Sequence, residues 1–153
     1  MKKTKTKLLF VIIIFLFFLF PAFTQTAADI ETMLYEKAVT FEQAAWLILA
    51  SAMDEPPVNS QAAFVLAVEQ GWISVNVSGG APINFGNLSF LAMKAFDIKG
   101  GLMYRLFENR RYAFREMKNF GYITGRAYSG LNVSGEQFLQ ILGNIMTSLG
   151  GEW

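Results

Sequence analysis

The sequence predicts an all-α fold: a compact helical domain of two tandem helix–loop–helix repeats plus a leading helix, after an N-terminal signal peptide. Three observations carry this. Apolar residues recur at helical spacing over most of the chain. Capping residues and glycines fall at the ends of those stretches. Residues 61–96 lie over residues 111–146 at an offset of 50 without a gap.

The chain has 153 residues, 53% hydrophobic and 16% charged, which excludes a disordered polymer. Lys2, Lys3, Lys5 and Lys7 precede an apolar run from Leu8 to Phe20, and Pro21 breaks it. Small and polar residues follow, with exits after Thr24 or Ala27. This is the pattern of a secretory signal over residues 1–28. Thirteen apolar residues are short for a spanning helix, which needs about 20; an uncleaved anchor is the alternative. Removal takes four of the 13 Lys+Arg and no acid, leaving 9 against 12 Asp+Glu, a net of −3. No nucleic-acid partner is expected from that balance. The absence of Cys in an exported domain points to the periplasm or cell envelope of a bacterium.

Residues 29–149 form the predicted domain, and 150–153 a tail expected to fray. Residues 29–38 place Ile30, Met33, Leu34 and Ala38 at helical spacing. Thr40 and Gln43 form a capping box for a helix to Met53, apolar nearly all round, and Pro56-Pro57 ends it. Ala63–Val68 and Ala113–Phe120 are apolar helical runs stopped by Gly71 and Gly121. After each stop, Trp72 or Tyr122 folds back on its helix. Ile73 and Ile123 then enter short extended segments expected to pair as a small ribbon. Asn84 caps a helix reaching Phe96, Gly100-Gly101 precedes a helical turn near Met103–Phe107, and Ser134 with Gln137 caps a helix to Leu149. The Asn-x-Ser triplets at Asn76, Asn87 and Asn132 read as turns and caps rather than glycan acceptors. Asn109–Phe120 is expected to bury Ala113, Phe114, Met117 and Phe120 and to expose its arginines.

In the overlay Ala63 meets Ala113, Phe64 meets Phe114, Gly71 meets Gly121, Trp72 meets Tyr122 and Ile73 meets Ile123. Gly80 then meets Gly130, Ile83 meets Val133, Leu88 meets Phe138 and Leu91 meets Ile141. A partial third copy leads the chain, since Val39-Thr40-Phe41-Glu42-Gln43 matches Val133-Ser134-Gly135-Glu136-Gln137. Chance likeness between apolar helices is the alternative to a true repeat.

Ala113-x₇-Gly121-Tyr122-Ile123-Thr124-Gly125, then Gly130 and Val133-Ser134, resembles the S-layer homology family over residues 39–146. The resemblance implies a helical bundle with pseudo-threefold symmetry and a grip on cell-wall polymers. The signature Arg of that family follows the cap. Phe41, Phe85 and Gly135 stand there in this chain, so its polymer-binding role does not carry over at any of the three.

Chemistry is sparse. With no His and no Cys, the commonest general base, thiolate and metal ligands are missing; no catalytic residue, metal site or cofactor is assigned. The concentrated charge is Arg105, Arg110, Arg111, Arg115, Lys118 and Arg126, with Tyr112, Tyr122 and Tyr128 nearby. Arg110, Arg111, Arg115, Lys118, Tyr122, Arg126 and Tyr128 are the candidate binding residues, for an anionic glycan, a lipid head group or an acidic protein surface. The plainer alternative is a solvated face with intrahelical pairs to Glu108 and Glu116. The expected function is a non-catalytic exported module that binds an envelope protein or an anionic cell-wall component. A membrane is met, if at all, only through an uncleaved signal segment. A small periplasmic hydrolase or ligand carrier, with its site between the repeats, is the alternative.

Overall fold

The computed structural model describes residues 30–150, so the signal segment 1–28 and residues 151–153 of the tail lie outside it. The chain divides into two compact units, Met1–Leu34 and Tyr35–Trp153. In the first, residues 30–34 are helical, and the helix stops short of the expected residue 38.

The second unit is all-α among the described residues: α1 Phe41–Ala52, α2 Ser60–Glu69, α3 Phe85–Ala95, α4 Leu102–Phe107, α5 Arg110–Asn119 and α6 Gly135–Ser148. Local chemistry sets the starts. Thr40 Oγ1 accepts the Gln43 N–H (3.3 Å) while Gln43 Oε1 accepts the Thr40 N–H (2.8 Å), which is the expected capping box. Ser134 and Gln137 repeat it at α6. Asn59, Asn84 and Asn109 cap α2, α3 and α5 through their side-chain oxygens.

The ends of α2 and α5 are alike. Gly71 (φ 72°) and Gly121 (φ 77°) are left-handed, a conformation that crowds a Cβ. Their N–H groups donate to Val68 and Lys118, and those of Trp72 and Tyr122 donate to Ala67 and Met117. This pair of bonds satisfies carbonyls that each helix end would leave open. At the end of α3 the same bonds run from Asp97 to Lys94 and from Ile98 to Met93, but the left-handed residue is Asp97 (φ 50°).

The expected ribbon after Ile73 and Ile123 does not form. Those residues are buried and bond back to their own helices. The pairing lies one step later, just before the second helices. Val39 N–H donates to Val133 O (2.9 Å), Val133 N–H to Ile83 O (3.0 Å), and Ile83 N–H to Val39 O (2.8 Å). The three bonds close a ring, and isolated bridges Thr40–Pro82 and Asn84–Asn132 flank it. All three ring residues are fully buried, so each N–H needs a partner, and the ring supplies one without a sheet.

The ring ties together the starts of α1, α3 and α6. Their far ends border one open cavity of about 380 Å³ lined by Ser51, Ala52, Ala95, Phe96, Asp97, Met146 and Leu149. The three helices therefore run side by side in one direction. Ile48, Leu49, Leu88, Leu91, Phe138 and Ile145 are almost wholly buried on them. On the outside, α2 packs against α1 and α5 against α3, while α4 rests on α5.

Candidate functional site

The charged surface is built on α5. Ala113, Phe114 and Met117 face inward, and Phe114 meets Phe85 of α3 edge-on with ring centres 6.2 Å apart. With that face fixed, Arg110, Arg111, Arg115 and Lys118 are exposed. Phe120, expected in the core, is 43% exposed, because it caps the helix and leans on Tyr122 instead (5.6 Å).

Arg110 and Arg111 open the helix, where the backbone dipole is positive, and no acid stands in that first turn. A cation there is disfavoured by about 0.3–1 kcal/mol and an anion is welcome. Asn109 Oδ1 already takes the Arg111 and Tyr112 N–H groups (3.1 Å each). The two arginines, with Gly71, Phe90, Glu108 and Asn109, line an open surface hollow of about 410 Å³.

The intrahelical pairs to Glu108 and Glu116 do not form. Glu108 bonds Lys94 of α3 (2.6 Å), and Lys94 also lies over the Phe90 ring (5.6 Å). Glu116 lies against Gly101, at the start of α4, where a Cβ would come within 3.1 Å of its carboxylate. Among the described residues, Arg105, Arg110, Arg111, Arg115, Lys118 and Arg126 take part in no ion pair. Arg115 rests over Tyr112 (5.9 Å) and Lys118 over Phe114 (5.9 Å), contacts that leave the charge open to solvent.

Of the seven sequence-selected residues, Arg110 and Arg111 share the hollow, and Arg115 and Lys118 continue along the helix. Arg126 and Tyr128 are exposed on the following loop, away from the lining of the hollow. Tyr122 is a correction: it is buried, its hydroxyl donates to Ser148 Oγ (3.0 Å), and Asn144 Nδ2 donates to its carbonyl (3.1 Å). It packs the interior and offers nothing to a surface ligand. The position two after the helix cap, where an apolar side chain folds back, was the available signal.

Sequence reasoning missed Phe90 and the Lys94–Glu108 pair, which come from other elements and carry no local signal. It also missed Tyr104. That side chain is 5% exposed with no hydrogen-bond partner for its hydroxyl, and burial, with the Glu108 charge second, pushes its pKa up to about 12.

The cavity lined by Phe85, Tyr122, Ile123, Thr124, Gln137, Gln140 and Ile141, where a site between the repeats would fall, measures about 20 Å³ and carries no acid. That is room for about one water. Among the described residues no group of three or more His, Cys, Asp or Glu is placed to hold a metal. No described helix is long and apolar enough to cross a membrane. No family model, curated protein or solved structure matches this chain.

Proposed function

We propose that this chain is an exported, non-catalytic module of the bacterial envelope that binds an anionic envelope component, a cell-wall polymer or an acidic protein, through the exposed face of α5. One observation carries the proposal. Two arginines stand at the positive end of α5, followed by two more cations along it, and among the described residues none of the four is in an ion pair. A fold that leaves like charges stacked on a dipole of the same sign gains stability when an anion arrives. The basic and apolar pattern of residues 1–28 supports export.

The duplicated, S-layer-homology-like architecture belongs to the same proposal. It is supported by the matching ends of α2 and α5 and by the ring that joins Val39, Ile83 and Val133. The ligand face differs from that family's, since Phe41, Phe85 and Gly135 are buried where its arginine would stand.

The test is retention of the full chain on purified cell-wall polymer. Arg111→Glu with Arg115→Glu lowers retention about tenfold and flattens its salt dependence. Retention equal to that of the parent chain removes the α5 face as the contact.

A further inference from the structure

Helix α4 has no visible reason to be apolar on its outer side. Tyr104 is its one buried residue, held against Gly100, whose added Cβ would fall 2.5 Å from the ring. Leu102, Met103, Leu106 and Phe107 are 69%, 47%, 64% and 57% exposed. Four large apolar side chains lie exposed on a six-residue helix, an apolar finger, and clustered exposed apolar groups mark a contact surface.

The charge around the finger identifies what it meets. Arg105 lies within α4, and Arg110 and Arg111 follow it after Glu108 and Asn109. Phe107 stacks on Tyr112 (5.9 Å, 27°), and Tyr112 carries Arg115 on its ring. Of the nearby acids, Glu108 pairs with Lys94 and Asp97 with Lys99, while Glu116 faces Gly101 at the start of α4, and the cations outnumber it. An apolar tip collared by unpaired arginines and an aromatic ring matches the interface of an anionic bilayer, with acyl boundary beneath and phosphate above.

We infer that α4 is a membrane-docking finger: Leu102, Met103, Leu106 and Phe107 enter the outer acyl region of an anionic lipid leaflet while Arg105, Arg110, Arg111 and Arg115 hold its phosphates. This departs from the expectation that only residues 1–28 meet a membrane. It shares its arginines with the proposed polymer face but stands without it, because only the lipid reading needs the apolar tip.

The chain lacks cysteine, so one can be placed at will. Full-length Leu106→Cys and Gln61→Cys are labelled with an environment-sensitive fluorophore. Each is mixed with phosphatidylglycerol or phosphatidylcholine vesicles carrying a nitroxide on the acyl chain. The label at 106 is quenched on phosphatidylglycerol and far less on phosphatidylcholine; the label at 61, on α2, is not. Adding Arg110→Glu and Arg111→Glu weakens the apparent affinity about tenfold or more. A chain held only by its leader leaves both labels unquenched and overturns the inference. So does shielding of label 106 that rises with protein concentration in lipid-free buffer, which assigns the finger to a second copy. Polymer retention that persists while quenching fails leaves the α5 proposal standing alone.

Discussion

Replacing Gly71 or Gly121 by Ala isolates the cost of a left-handed helix stop. An added Cβ meets no atom within 4 Å at either position, so the cost is confined to the backbone. A non-glycine residue in that conformation costs about 1–2 kcal/mol, and the stiffer unfolded chain returns about 0.4–1 kcal/mol, leaving a net loss near 1 kcal/mol. With an unfolding entropy of about 2.1 cal/mol/K per residue over about 120 residues, that is about 4 °C in Tm. Gly80 and Gly130 are the internal comparison: equally open space, but no positive φ. There the entropic gain stands by itself, and Ala raises Tm by about 2–4 °C. Thermal unfolding of the four full-length variants, followed by helical circular dichroism, reads the difference. If Gly71→Ala and Gly121→Ala unfold at or above the parent temperature, the left-handed stop does not hold these helices and the account of both ends is wrong.

Ser134→Ala breaks the capping box at α6 and costs about 1 kcal/mol in urea unfolding, while Ser134→Asp keeps an acceptor and most of the stability. Leu91→Ala, at a fully buried site, costs about 2–5 kcal/mol, and Val58→Ala, almost fully exposed, stays within about 0.5 kcal/mol. Tyr104 supplies a pH signature. Its unfolded form loses a proton near 10 and its folded form near about 12, so its contribution is intact below pH 10 and is lost as pH rises toward 12. Near-ultraviolet titration follows the late step of Tyr104, and Tyr104→Phe abolishes it and flattens the alkaline loss of stability.

The helix boundaries were legible because they are local. Thr40 with Gln43, Ser134 with Gln137, and Gly71 and Gly121 act within five residues of themselves, a range in which sequence spacing is distance. The stop at Asp97 carried no such sign, since the same bond pattern is closed there by a residue that pays strain for it. The ring at Val39, Ile83 and Val133 joins segments remote in sequence, so the expected strand pairing was placed one loop too early. On the surface, helical spacing named the arginines but assigned Glu108 to them. The structure hands Glu108 to Lys94, 14 residues away, which no rule of neighbours on one helix can supply. The exposed side of α4 was hidden for a different reason: six residues are too few for a period to separate inside from outside.

The closed triad of backbone hydrogen bonds bears on how the polypeptide acquires its shape. Its members come from near the two ends of the body and from the middle, so two of the three bonds, Val39 to Val133 and Val133 to Ile83, wait until the last segment has arrived. Contacts of such long span carry a loop-closure entropy that slows folding. Until that segment folds, the Val39 N–H and the Ile83 carbonyl wait for their partners, so the ring is completed only with the whole body.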